Sequence, residues 1–166
     1  MSERTFAQLI YIPHVDHAAR IDQGVYRGAQ PEGAEGYRAL KEMGIRTVIN
    51  LRQFHDSREE AENSGLQYVS LPIQASILGS EPPSQAQLDR FFEIVEDPGQ
   101  GPVFFHCMTG KDRTGTMCAL YRIEQHGWSH QEAEEELHAF GYHTIWDDLI
   151  RFVREYRPRA DRSGEH

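Results

Sequence analysis

The sequence has little cysteine and no long hydrophobic run. Its 166 residues include only two cysteines, Cys107 and Cys118, which cannot build the set of bridges that holds small secreted domains together. A reactive thiol is best kept in a reducing compartment, so the cytoplasm is the predicted location. The first six residues lack the basic and then apolar layout of a secretion signal. Since no apolar run approaches the ~20 residues of a membrane-spanning helix, we expect no integral membrane segment.

Basic residues are in deficit as well. Lysine and arginine number 17 against 26 aspartates and glutamates, which gives a formal net charge of −9. Proteins that bind nucleic acids present a basic face to the phosphate backbone, so nucleic acid is not an expected partner. An acidic body also disfavours the approach of very highly charged substrates.

The chain shows no internal repeat, low-complexity segment or long linker. Its length suits one domain with a single core. We predict a main domain over residues 23–157, an N-terminal segment (1–22) packed on it, and a polar, frayed tail (158–166).

Apolar patterns alternate between short β-branched runs and stripes with helical spacing. The runs predict strands and the stripes predict helices, and Ser84 and Ser129 each begin a capping box. Residues 73–83 have no period and predict a loop. The expected fold is α/β, with a central, largely parallel sheet flanked by helices. The predicted strands lie near 25–27, 45–51, 68–71 and 103–105, and the predicted helices near 33–43, 56–65, 84–96, 114–126, from 129, and 146–153.

The most informative segment, residues 106–115, reads His-Cys-Met-Thr-Gly-Lys-Asp-Arg-Thr-Gly. It lies between the apolar run 103–105 and an apolar-periodic stretch, which predicts a strand, a tight loop and the start of a helix. We call residues 107–113 the cysteine loop. The N-terminus of a helix offers free N–H groups and a positive dipole end, which together bind anions. The same groups stabilise a thiolate and lower the pKa of Cys107.

A phosphate monoester suits this loop. Arg113 can bind two phosphate oxygens with its forked guanidinium, while Cys107 attacks phosphorus and forms a phosphocysteine intermediate that water hydrolyses. Neither a metal nor a cofactor is needed, because arginine and backbone amides supply the charge. The predicted phosphate-binding residues are Met108, Thr109, Gly110, Lys111, Asp112 and Arg113.

The remaining loop residues have two interpretations each. Asp112 either protonates the leaving oxygen or anchors the loop, and Thr114 either donates its hydroxyl to the sulfur or caps the helix. Lys111 either contacts a second phosphate or is solvated. His106 is expected to support the loop through hydrogen bonds rather than act as the base, and Cys118 to pack in the core.

The pattern His106-Cys107-x5-Arg113-Thr114 resembles the cysteine-dependent protein tyrosine and dual-specificity phosphatases. The stretches 24–31 and 44–52 look like those of bacterial and of plant and fungal atypical dual-specificity phosphatases. The resemblance implies a protein tyrosine phosphatase-like fold with a shallow pocket. It also implies phosphomonoester hydrolysis, with phosphoprotein as the first substrate class.

One departure from the family concerns the general acid. Many members carry an aspartate on a separate loop, but the matching stretch 72–82 contains no aspartate, and Glu81 is its only carboxylate. The Lys-Asp-Arg-Thr ending of the cysteine loop is similar to a bacterial branch, and to some phosphoinositide phosphatases, in which the loop aspartate is assigned as the acid. The resemblance therefore favours Asp112, with Glu81 as the second candidate.

Alternatives remain open at this point. The substrate could be a phosphoprotein (tyrosine and/or serine/threonine), or a phosphoinositide or inositol polyphosphate with a phosphorylated lipid or small-molecule head group. A phosphate-binding module without turnover is a second class, and sulfur or arsenate chemistry a third. His14, Asp16 and His17 lack further ligands at a recognisable metal spacing. Arg27 and Arg52 follow strands and either line the pocket or form buried ion pairs.

Overall fold

A computed structural model describes residues 5–76, 79–143 and 147–162. The strands are β1 (Gln8–Leu9), β2 (Ala19–Asp22), β3 (Val25–Gly28), β4 (Thr47–Asn50), β5 (Gln67–Ser70), β6 (Ala75–Ser76), β7 (Gly79–Ser80) and β8 (Val103–His106). The central sheet has six strands in the order β1-β2-β3-β8-β4-β5, of which β3, β8, β4 and β5 are parallel. The predicted α/β class with a largely parallel sheet is therefore confirmed. The helices are α1 (Gly33–Glu42), α2 (Arg58–Asn63), α3 (Gln85–Glu96), α4 (Arg113–His126), α5 (His130–Ala139), α6 (Asp147–Glu155) and α7 (Arg159–Arg162).

The two central strands, β4 and β8, are buried along their whole length. Successive side chains of a strand point to opposite faces, so both faces need a helical layer. Phe104 belongs to the core under α1 and α2, and Phe105 belongs to the larger core under α3 to α6. The sheet thus separates two hydrophobic cores.

The two predicted capping boxes are present. The Ser84 hydroxyl accepts the backbone N–H of Gln87, and the Gln87 side chain accepts the Ser84 N–H. Ser129 and Glu132 make the same reciprocal pair at the start of α5. These caps satisfy helix N–H groups that have no partner within their own helix.

Three predictions need correction. Residues 73–83 are not all loop, because 75–76 and 79–80 pair as a short antiparallel hairpin. The antiparallel strands β1 and β2 extend the sheet from within the N-terminal segment, and the pattern analysis did not find them. The tail beyond 158 begins with a turn of helix instead of fraying at once, because the Arg159 guanidinium binds Glu96 (2.6 Å) and its backbone N–H binds Glu124 (3.0 Å).

Two further points concern the limits of the described residues. The last of the predicted helices, expected over 146–153, is observed from Asp147, and its expected first apolar residue, Trp146, lies outside the described residues. Within those residues, no helix is both long and apolar enough to cross a membrane.

Candidate active site

The cysteine loop lies at the carboxyl edge of the parallel strands. His106, the last residue of β8, is in register with Gly28 of β3 on one side and Asn50 of β4 on the other. Helix α4 begins at Arg113, the last residue of the loop. Ligand sites of α/β sheets form at this edge, and here the start of a helix adds its N–H groups to the same point.

Cys107 lies at the base of the loop and is 1% exposed. Burial raises the pKa of its thiol, but the hydroxyl and amide of Thr114, the Arg113 guanidinium and the Gly110 amide outweigh burial, so the pKa lies below its ordinary value. A lowered pKa increases the fraction of the thiol that is thiolate, which is the nucleophilic form.

The Thr114 hydroxyl is buried and has no oxygen or nitrogen partner among the described residues. It is also the strongest of the groups that lower the pKa of Cys107. A buried hydroxyl without another partner is costly unless it serves a specific function. The side chain is therefore free to donate its hydrogen to the sulfur.

Cys118 has the opposite electrostatic surroundings. It is buried on α4, and its Sγ donates to Glu136 Oε1 at 3.4 Å. Burial, with the nearby Glu136 carboxylate, raises the pKa of its thiol to about 12. Cys118 is a core residue that stays protonated.

The end of β3 supports the cysteine loop from the side. The Arg27 guanidinium donates to the carbonyl oxygen of Gly110 (2.8 Å), and the Gln30 N–H donates to that of Met108 (3.1 Å). Gly110 has a φ of +77°, and a Cβ there would lie 2.7 Å from the carbonyl carbon of Gly28. Only glycine fits this close backbone approach.

Arg27 takes neither of the two roles that the sequence left open. It is fully buried, so it does not line a pocket, and it forms no ion pair within the described ranges. Its guanidinium instead lies 4.3 Å from the Phe140 ring centroid and bonds the loop. Arg27 is a support for the loop backbone.

Arg52 does lie at the site. Its guanidinium donates to the Gln30 side chain (3.3 Å). Burial and the nearby Arg113 lower the pKa of Arg52, and the nearby Cys107 opposes this shift. The structure therefore brings two guanidinium groups, those of Arg52 and Arg113, within electrostatic range of the Cys107 thiol.

Asp112 is held by a residue that sequence reasoning did not single out. Its Oδ1 accepts the backbone N–H of His143 (2.7 Å), and its Oδ2 accepts Nδ1–H of the same residue (2.8 Å). The Asp112 side chain is 13% exposed and that of His143 is 51% exposed. The two residues are separated by 31 positions in the sequence, so no local spacing could predict this pair.

His106 is fully buried below the loop. Its Nδ1–H donates to the Cys107 carbonyl oxygen (3.1 Å), and its ring stacks on Phe104 with centroids 5.8 Å apart. Burial lowers its pKa to about 4, so the ring is neutral at physiological pH.

The other candidates lie apart from this constellation. The Glu81 side chain is exposed, and its backbone N–H donates to Gln74 (3.0 Å). His14 pairs with Glu35 (3.1 Å), and His17 donates to the Phe140 carbonyl oxygen (3.0 Å). Among the described residues, no three His, Cys, Asp or Glu side chains are grouped to hold a metal ion.

A thiol of lowered pKa, a loop of backbone amides and an arginine at the start of a helix define the class of cysteine-dependent phosphatases. Residues 14–152 match the family described as "DSP-PTPase phosphatase fused to NAD+ Kinase", and the chain belongs to this family. The resemblance that the loop suggested is thereby confirmed.

Two curated relatives illustrate the similarity. The dual specificity protein phosphatase TpbA of Pseudomonas aeruginosa is 30% identical over 145 residues, which cover 87% of this chain and 63% of TpbA. The phosphatidylglycerophosphatase and protein-tyrosine phosphatase 1 of Rattus norvegicus is 30% identical over 153 residues, which cover 86% of this chain and 77% of that protein. The chain thus spans less than two thirds of TpbA.

Solved structures show the same fold. Crystalline P. aeruginosa TpbA superposes with a TM-score of 0.74 at 28% identity, covering 92% of this chain and 91% of that chain. A cysteine-to-serine variant of TpbA in complex with phosphotyrosine gives 0.72 at 27% identity, with 90% and 89% covered. The catalytic core of the S. cerevisiae PP-IP phosphatase Siw14, at 20% identity, TM-score 0.74 and 89% coverage of both chains, shares the fold.

Proposed function

We propose that this chain hydrolyses phosphate monoesters through a phosphocysteine intermediate. The observation that carries the proposal is the lowered pKa of Cys107 at the start of α4, beside Arg113 and Thr114. In the first step the thiolate attacks phosphorus and the leaving oxygen departs with a proton. In the second step water attacks the phosphocysteine and releases phosphate and the thiolate.

The remaining loop groups take specific roles in this proposal. The amides of residues 108–113 and the Arg113 guanidinium bind the phosphate oxygens and stabilise the charge that develops in the transition state. The Thr114 hydroxyl stabilises the sulfur as nucleophile and later as leaving group. His106 supports the loop from below, and the proton donor lies at the Asp112 side of the loop.

Phosphoprotein is the substrate class that we place first. TpbA has been crystallised with phosphotyrosine, and the rat relative is named as a protein-tyrosine phosphatase. The acidic body of this chain favours a substrate whose charge is concentrated in one phosphate. A free thiol nucleophile and two unbridged cysteines support a reducing compartment such as the cytoplasm.

A phosphorylated lipid or inositol head group is the second candidate, and the cations around the loop favour it. The Lys111 side chain extends past Gly141: a Cβ added at Gly141 would lie 3.2 Å from Cδ of Lys111. Lys111 and Arg52 have no carboxylate partner among the described residues. Either cation could bind a second phosphate on the same molecule.

The first experiment compares hydrolysis of an aryl phosphate by the protein and by two cysteine variants. Cys107→Ser should abolish turnover, whereas Cys118→Ser, the same substitution at a buried thiol with a raised pKa, should retain it. Turnover that survives Cys107→Ser would sink the proposal. Saturable phosphate binding without any turnover would instead identify a binding module, and faster turnover of thiosulfate or arsenate would identify a different oxyanion chemistry.

The second experiment addresses the substrate. Phosphotyrosine, phosphoserine and phosphothreonine peptides should be hydrolysed with higher kcat/KM than phosphoinositides or inositol polyphosphates. The reverse order would make the head-group candidate the substrate.

A further inference from the structure

His143 reaches the cysteine loop from the segment that follows α5. It binds Asp112 twice, through its backbone N–H and through its ring Nδ1–H. Two hydrogen bonds of 2.7 and 2.8 Å between one residue and one carboxylate define both the place and the orientation of the imidazole ring. Asp112 in turn is adjacent to Arg113, which is proposed to bind the phosphate.

This geometry makes the Asp112 carboxyl a poor direct donor to a leaving group. Both of its oxygens are engaged by His143, and the side chain is largely buried. A proton on Oδ2 would lie in the hydrogen bond to Nδ1, directed at His143 instead of the substrate. The carboxylate is arranged to orient the histidine ring.

His143 has the exposure that a donor needs. Half of its side chain is exposed, and Nε2, on the opposite side of the ring from Nδ1, makes no hydrogen bond within the described part of the chain. We propose that His143 is the general acid, with Asp112 as its orienting partner. This inference rests on the proposed phosphatase function and names the proton donor of that same site.

The proton can be followed through both steps. As the bond from Cys107 Sγ to phosphorus forms, the bond from phosphorus to the leaving oxygen breaks, and that oxygen takes the proton from Nε2 of the His143 imidazolium. The ring is then neutral. In the second step Nε2 accepts a proton from the attacking water, the sulfur–phosphorus bond breaks, and the thiolate and the imidazolium are restored.

The test substitutes His143→Asn and compares an alkyl phosphate with an aryl phosphate that has a good leaving group. The amide nitrogen of asparagine lies where Nδ1 lies and can still bond Asp112, but it has no proton to transfer. We expect kcat/KM for the alkyl ester to fall by about 100-fold or more, and that for the aryl ester by less than about three-fold. Asp112→Asn should also affect the alkyl ester more, because it removes the partner of the imidazolium.

Two results would overturn the assignment. If His143→Asn keeps the alkyl rate while Asp112→Asn loses it, Asp112 is the donor. If His143→Asn lowers both rates equally, His143 only holds the loop in place. Failure of the proposed function has a different signature: neither ester would show turnover that depends on Cys107.

A matched control is available at the end of helix α4. His126 also pairs with an aspartate, Asp22, at 2.9 Å, but at the far end of the 14-residue helix α4, which places it about 20 Å from the loop. His126→Asn should leave the ratio of the alkyl to the aryl rate unchanged. Thermal unfolding of each variant checks that it is folded.

Discussion

The Thr114 hydroxyl offers the sharpest quantitative test of the site. Thr114→Val replaces it with a methyl group of nearly the same size. Because the hydroxyl is buried without an oxygen or nitrogen partner, its removal leaves no protein group newly unpaired except the thiolate. The change should therefore raise the pKa of Cys107 without unfolding the protein.

The magnitude follows from the strength of one hydrogen bond to a charged group. Such a bond contributes about 1.5–3 kcal/mol, and one pKa unit corresponds to about 1.4 kcal/mol. The pKa of Cys107 should therefore rise by about 1–2 units. It should stay below the value for a buried thiol without donors, because the Thr114 and Gly110 amides and the Arg113 guanidinium remain.

The assay is the pH dependence of alkylation by iodoacetamide, followed by mass spectrometry of the peptide that contains Cys107. Cys118 is an internal reference, since its pKa of about 12 keeps it unreactive. Thr116→Val is the matched variant: Thr116 is also buried on α4, but its hydroxyl donates to the Asp112 carbonyl oxygen (2.8 Å), away from the sulfur. A Thr114→Val midpoint within about 0.3 unit of the unsubstituted protein would refute the assigned hydrogen bond.

Three other changes test the surroundings of the loop. Gly110→Ala should lower both the melting temperature and aryl phosphate turnover, because Gly110 has a positive φ and a Cβ there would lie 2.7 Å from the Gly28 carbonyl carbon. Thermal unfolding and steady-state kinetics measure the two effects, and an active, equally stable variant would contradict the expectation. His106 has a folded-state pKa of about 4, below its ordinary 6.5, so the unfolded chain binds a proton first as the pH falls. The contribution of neutral His106 to the free energy of unfolding is fully present above about pH 6.5, and about 3 kcal/mol of it is lost as the pH falls to about 4. Urea unfolding of His106→Asn as a function of pH should lack this loss. Arg52→Gln should raise KM for phosphopeptides by about ten-fold with little change in kcat, and an unchanged KM would place Arg52 outside the substrate contacts.

The residues that are contiguous in sequence were predicted well. The apolar run before Cys107, the glycine in the loop and the apolar stretch after Thr114 all act locally, and they predicted the strand, loop and helix that the structure shows. The buried strand β4 was predicted for the same reason, because strands buried on both faces are apolar without interruption.

Short strands at the edge of the sheet could not be predicted this way. β1 has only two residues, both exposed, and β2 mixes buried and exposed positions over four. β2 depends on pairing with β3, and β1 depends on pairing with β2, and both pairings form only when the chain folds. The same holds for the hairpin of β6 and β7.

The contacts that organise the site are equally distant along the chain. Arg27 is 83 residues from Gly110, and Asp112 is 31 residues from His143. No spacing rule links such residues, because the pairing of β3 with β8 brings Arg27 to Gly110, and the position where α5 ends brings His143 to Asp112. Arg27 was recognised as a candidate only from its place after a strand, and His143 carried no signal of its own.

The balance of charge around the loop bears on the choice of substrate. Several arginines elsewhere in this acidic chain have carboxylate partners, as Arg122 has Glu136 at 2.8 Å. Among the described residues, Arg52 and Arg113 have none, and the one carboxylate of the loop, Asp112, is bound by His143. A phosphate dianion supplies the negative charge that these guanidinium groups otherwise lack, whereas a molecule with many phosphates would extend into the field of a body that carries −9 overall. This balance of charge supports the proposal of a substrate with one phosphate held in the loop, and on that proposal the uncharged parts of the substrate determine specificity.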